Sequence, residues 1–129
     1  MSNYPSDRKY TKDHEWARVE GDLVRVGITT YAVEQLGDVT LVDLKSVGDS
    51  LDAHGHFGDI ESVKAVSELF SPIKGDIVEV NASLQDQPEQ VNDDPFEAGW
   101  MIVLRPAALG DVDALMDAAA YEDFLANAG

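Results

Sequence analysis

Apolar and polar positions alternate with a period of two along much of the chain. Trp16-Ala17-Arg18-Val19-Glu20 alternates up to Gly21-Asp22, and Leu23-Val24-Arg25-Val26-Gly27-Ile28 runs back. Side chains of an extended strand point to opposite faces in turn, so two such runs around a glycine-bearing turn predict a β-hairpin. Val39 to Leu44 is rich in β-branched and apolar residues, and Ile77-Val78-Glu79-Val80 alternates again. Met101-Ile102-Val103-Leu104 is continuously apolar and stops at Pro106, the pattern of a fully buried strand. Phe57 to Val63 and Ala65 to Phe70 are two short strand-like runs on either side of Lys64.

Three stretches carry helical signals. Thr30 to Leu36 is predicted as about two turns, with Thr29 or Thr30 as N-cap and Gly37 just past the end. Ser83 to Gln87 is a short turn ended by Pro88. Asp111 to Leu125 is the longest, with Asp111 as N-cap and Val112, Leu115, Met116, Ala119 and Phe124 near one face. Gly-Asp pairs at 21–22, 37–38, 48–49, 58–59, 75–76 and 110–111 are spaced irregularly, so they read as turn punctuation and not as a repeat. The expected architecture is mainly β: an antiparallel sandwich or flattened barrel with short peripheral helices and a C-terminal helix. One domain over 1–129 is expected, with a core of about 8–106 and a terminal helix of about 111–125.

Composition narrows the function. The 129 residues are 44% hydrophobic and 26% charged, a globular balance. Nine Lys and Arg face 25 Asp and Glu, a net charge of −16. Such a chain cannot displace counterions from nucleic-acid phosphates, and an anionic membrane surface repels it. There is no cysteine, hence no disulfide or thiol chemistry. No apolar run approaches the roughly 20 residues of a membrane span. Met1 to Lys12 lacks the apolar stretch of a secretory signal, so the expected address is the cytoplasm.

Catalytic patterns do not appear. There is no G-x-S-x-G elbow, P-loop or G-x-G-x-x-G, and the acids are scattered at turns. His54-Gly55-His56 with Asp52 and Asp59 nearby has metal-ligand chemistry, but two histidines without a fixed third ligand are better explained by a polar turn entering the Phe57 strand. The most distinctive local feature is Glu61-Ser62-Val63-Lys64-Ala65-Val66-Ser67. Beyond Arg25 the cations are Lys45, Lys64, Lys74 and Arg105, so Lys64 is isolated on an acidic chain. Two readings stay open from the residues alone. A lysine at a strand edge can be a gatekeeper against aggregation. A lysine at a hairpin tip among small residues can equally be presented to a modifying enzyme.

At this motif the chain resembles the H proteins of the glycine cleavage system, over roughly residues 5 to 125. The resemblance is carried by Lys9-Tyr10-Thr11-Lys12-Asp13-His14-Glu15-Trp16, by Val26-Gly27-Ile28-Thr29 with Tyr31-Ala32 and Leu36-Gly37-Asp38, and by Gly58 with Glu61 to Ser67. It continues through Ser71-Pro72-Ile73, Gly75, Glu79-Val80-Asn81, Val91-Asn92, Asp94-Pro95-Phe96, Gly99-Trp100 and Tyr121-Glu122. The departures are Thr30, Leu44-Lys45, His54-Gly55-His56, Asp59, and Gln35 where some members have histidine.

The resemblance implies a barrel-sandwich hybrid and a carrier, not an enzyme. It implies lipoic acid joined by an amide to Lys64, within the lipoylation motif Glu61, Ser62, Val63 and Ala65. The implied partners are a pyridoxal-phosphate glycine decarboxylase, a tetrahydrofolate-dependent aminomethyltransferase, dihydrolipoyl dehydrogenase, and a lipoate ligase or lipoyl transferase. The aminomethyl-loaded arm is expected to rest in a cleft at Asp13, Glu15 and Glu68, whose carboxylates suit a cationic amine. On that view Glu15→Ala spares stability. The rival classes are a lipoyl-relay or regulatory paralogue and a peripheral lipoyl or biotinyl domain of another complex. Peripheral domains usually carry Asp-Lys-Ala or Met-Lys-Met at the lysine, where this chain has Val63-Lys64-Ala65.

Overall fold

The structure is a computed structural model that describes residues 4–127. The ends of the expected 1–129 domain lie outside the described residues. In chain order the elements are β1 (Lys9–Tyr10), β2 (Glu15–Glu20), β3 (Leu23–Ile28), α1 (Thr30–Leu36), β4 (Val39–Leu44), β5 (Ser50–Leu51), β6 (His56–Ser62), β7 (Val66–Phe70) and β8 (Gly75–Val80). They are followed by α2 (Ser83–Asp86), α3 (Gln90–Asp93), β9 (Ile102–Pro106), a 3₁₀ turn (Leu109–Ala114) and α4 (Ala118–Asn127). The strands form two antiparallel sheets, one in the order β1-β2-β3-β9-β8-β5 and one in the order β4-β6-β7.

The alternation read from the sequence is what lets the two sheets close on each other. Val24, Val26, Ile102 and Leu104 of the larger sheet and Val42, Ile60 and Leu69 of the smaller one share one buried core. Leu36, Leu84 and Val91 bring the three short helices onto it. Each such side chain contributes about 1.5–3 kcal/mol by leaving water. A second cluster, Tyr10, Trp16, Ala118 and Tyr121, fastens α4 to β1 and β2. Trp16 lies over Gly27, its antiparallel partner. A Cβ there would stand 2.6 Å from the indole, so the packing requires glycine.

The hairpin of β2 and β3, the strands around Lys64, and α1 lie close to their expected places. Thr29 is the N-cap of α1, its hydroxyl accepting from the Ala32 N–H. The C-terminal helix differs from expectation. The stretch 111–125 is not one helix but the 3₁₀ turn, an extended Leu115–Asp117 segment and α4. Met116 exchanges two backbone hydrogen bonds with Tyr10, at 2.7 and 3.0 Å, and this pairing overrides local helical preference. The helix cap is accordingly Asp117, which accepts from the Ala120 N–H at 2.8 Å, and not Asp111. Tyr121 and Ala118 face inward, whereas Ala119 is exposed.

Candidate functional site

β6 and β7 pair along their length and turn at Ser62 to Ala65. The turn is built by its own serine. The Ser62 N–H donates to the Ala65 carbonyl at 2.8 Å, and the Ser62 hydroxyl accepts from the Lys64 and Ala65 N–H groups at 3.2 Å each. Val63, Lys64, Ala65 and Val66 are all exposed at this tip. The lysine side chain lies across Gly37 at the end of α1: a Cβ on Gly37 would be 3.3 Å from Lys64 Cε. Gly37 has φ +77°, a conformation side-chain-bearing residues rarely adopt, so the surface under the lysine is bare backbone for two reasons.

Beside the tip opens a cleft of about 370 Å³. Its apolar lining comes from Ile28, Leu36, Ile60 and Leu69, and its polar lining includes Asp13, His14, Glu15, Gln35 and Glu68. Ala65, next to Lys64, belongs to the same wall. The three acids expected at one site are therefore brought together.

The loop that carries two of them is organised by Thr11. Its hydroxyl accepts from the Asp13 and Glu15 N–H groups at 3.2 Å each and donates to Glu15 Oε1 at 2.7 Å. His14 takes φ +70° to complete the turn. Its Nδ1 lies 2.8 Å from the Tyr121 hydroxyl, which lies 2.9 Å from the Thr29 hydroxyl. The cleft floor is thus tied to α4 and to the start of α1.

Asp13 is exposed and Glu15 is only 2% exposed. Burial pushes the Glu15 carboxyl up to about 8, against the opposing pull of the Thr11 hydrogen bond and with a further push from Asp13. Glu15 is therefore mostly a neutral carboxylic acid at pH 7, where the sequence reading expects a carboxylate. The negative charge of the cleft comes from Asp13 and Glu68. Burial also overturns the expectation that Glu15→Ala spares stability, since it would empty a packed site and strip the Thr11 hydroxyl of its acceptor. Burial holds His14 below its ordinary value, with Asp13 pulling the other way.

The two histidines of His54-Gly55-His56 go to different partners. His54 has φ +65° and its Nδ1 is 3.5 Å from Asp13, while His56 Nε2 is 2.8 Å from Asp59. Among the described residues no three His, Cys, Asp or Glu side chains gather as a metal site would require. Thr11 and Tyr121 belong to the blocks that carry the resemblance, but the sequence assigns neither a part in shaping the cleft. A threonine two residues ahead of an Asp is a turn signal, but the reach of Tyr121 across 107 residues to His14 leaves no local trace.

A β-sandwich that holds one lysine out on a hairpin, beside an apolar cleft with an acidic rim, has the build of a carrier domain. The glycine cleavage H-protein family model matches residues 8–128. The glycine cleavage system H protein of Halalkalibacterium halodurans is 50% identical over 125 residues, 97% of this chain and 98% of that one. That of Anaeromyxobacter strain K is 54% identical over 121 residues, 94% of each. The crystal structure of a glycine cleavage system H protein from Mycobacterium marinum superposes with a TM-score of 0.87 at 43% identity, covering 95% of this chain and 99% of that one. The chain belongs to the glycine cleavage H-protein family, whose members are lipoyl carriers and not enzymes. The match extends far beyond the hairpin, which separates it from peripheral lipoyl and biotinyl domains. Among the described residues no helix is long and apolar enough to cross a membrane.

Proposed function

We propose that Lys64 bears lipoate in amide linkage and that Asp13, Glu15 and Glu68 hold the loaded end of the arm. The observation that carries this reading is one lysine exposed at a self-supporting turn, with a cleft opening at its neighbour Ala65. The cleft fits the group: Ile28, Leu36, Ile60 and Leu69 suit a hydrocarbon chain, and the acids suit a cationic end. Joined to Lys64, with its loaded end held by Asp13, Glu15 and Glu68, a lipoyl group would supply a disulfide that opens on accepting the aminomethyl unit at glycine decarboxylase, becomes a dithiol once the aminomethyltransferase has removed that unit, and would be closed again by dihydrolipoyl dehydrogenase. Lys64 supplies the amine, and Ser62 and Ala65 leave it accessible to a lipoate ligase or lipoyl transferase. Asp13 and Glu68 attract an ammonium, while neutral Glu15 offers a hydrogen bond without adding charge. A cytoplasmic location is part of the same proposal.

The test is intact mass after incubation with lipoate ligase, ATP and lipoate. The unaltered chain gains one lipoyl group. Lys64→Arg keeps the charge but offers no amine of comparable nucleophilicity, so it folds and gains none. A Lys64→Arg chain that still gains the mass, at Lys45 or Lys74 for example, overturns the assignment.

A further inference from the structure

We propose that Asn92, which does not touch Lys64, is a positioning residue for the hairpin that presents it. This inference rests on the reading of Lys64 as the attachment site. The turn at Ser62 to Ala65 holds its own shape, but a hairpin tip of that kind can still swing as a unit. Here it is tied down. The Val63 N–H donates to the Asp38 carbonyl at 3.1 Å. Asp38 is the middle of the short connection between α1 and β4, and the residues on either side of it are both held by Asn92. The Asn92 Nδ2 donates to the Gly37 carbonyl at 2.8 Å, and its Oδ1 accepts from the Val39 N–H at 2.8 Å.

The side-chain amide thus plays the part of an extra peptide group, pairing with an acceptor 55 positions away and a donor 53 positions away in the chain. Its own base is firm, because Val91, the preceding residue on α3, is fully buried. A continuous path runs from the core through Val91 and Asn92 to the Gly37–Val39 connection and on to Val63, the neighbour of Lys64. The lysine side chain rests on the same connection, since it lies against Gly37. Asparagine is the residue this needs. It supplies a donor and an acceptor on one short planar group, whereas aspartate offers two acceptors and would face the Gly37 carbonyl with an oxygen. Fixing the tip before it meets a partner enzyme spares the ordering cost at the moment of binding.

Asn92→Asp tests this. In the unmodified protein the Val63 and Lys64 amides should exchange with solvent at least tenfold faster, while Ile102 and Val103 in β9 keep their rates. In lipoylation by a purified ligase, KM for the carrier should rise about tenfold with kcat within twofold. Ile77→Val, a core change, lowers stability without moving either readout, which a merely structural role for Asn92 would not allow. Should Asn92→Asp fail to fold, Asn92→Ser, whose side chain is too short to span both groups, takes its place with the same expectations. Unchanged Val63 exchange, or an unchanged KM, overturns the proposal. If the unaltered chain takes no lipoate, the reading of Lys64 fails, and Val63 exchange alone then decides whether Asn92 fixes the tip.

Discussion

Glu15 shows how one residue can be located by sequence and still be given the wrong charge. Its place in the His14-Glu15-Trp16 block pointed to the cleft, and the cleft is where it lies. What the sequence does not carry is its burial, which comes from the tight Thr11 to Glu15 turn and the packing of β2. Burial raises its folded pKa from 4.5 to about 8. Between those values the folded chain holds a proton that the unfolded chain has lost, so stability falls as pH rises. Other shifted groups act elsewhere. Asp7, Glu20 and Glu97 are lowered by arginine partners and matter in acid, and His14, lowered from 6.5 by burial, acts below that value. From pH 6.5 to 8 the decline therefore belongs to Glu15, and at about 1.4 kcal/mol per unit it amounts to about 2 kcal/mol. Denaturant unfolding across that range should show the loss in the unaltered protein and a flat profile in Glu15→Gln. Parallel curves would mean that Glu15 is ionised in the fold.

At the scale of elements, α4 is the piece whose role depends most on one contact. The Tyr121 hydroxyl joins the His14 ring to the Thr29 hydroxyl, and so joins α4 to the loop that shapes the cleft. Tyr121→Phe keeps the ring stacked on Tyr10 but leaves the buried Thr29 hydroxyl and the half-buried His14 ring without that partner. A loss of about 1–3 kcal/mol is expected, seen as a Tm lower by about 5 °C or more. An unchanged Tm would show that His14 and Thr29 satisfy each other. The same helix marks the limit of what the chain reveals locally. β2, β3, β6 and β7 were legible because alternation is a property of neighbouring residues. The break at Leu115 to Asp117 was not, because it arises from Met116 pairing with Tyr10 over 100 positions away. β1 and β5, at two residues each, and α3, at four, are too short to leave a period. The place of Lys64, exposed at the turn between two strands, was legible as well. Its tether through Asn92 was not, since an asparagine before an aspartate looks like any other turn.

Over the whole molecule, the charge of −16 is not spread evenly in its effect. Three of the nine cations, Arg8, Arg18 and Arg25, are spent on Asp7, Glu20 and Glu97, and lie over the rings of Trp16, Phe96 and Trp100. The small sheet keeps its acids. Asp43 pairs with Asp59 and Asp59 with Glu68, so three carboxylates form one row across β4, β6 and β7. Like charges directly opposite each other destabilise a sheet, and His56 relieves only Asp59. Near this row, around Glu61 and the lysine, Leu41, Val63 and Val66 are exposed at 45%, 68% and 65%. Apolar residues rimmed by charge are the usual make-up of a docking face. Partner enzymes with basic surfaces should therefore be steered to the hairpin, and the steering should be screened by salt. Raising ionic strength from 0.01 to 0.15 M shortens the Debye length from about 30 to about 8 Å, and loading by glycine decarboxylase should slow by about tenfold or more. Glu68→Gln removes one charge of the row, so stopped-flow loading rates should fall at low salt and depend less steeply on it. A loading rate that stays constant across this range would mean that recognition is carried by the apolar patch alone, and that the acidic row serves some other end.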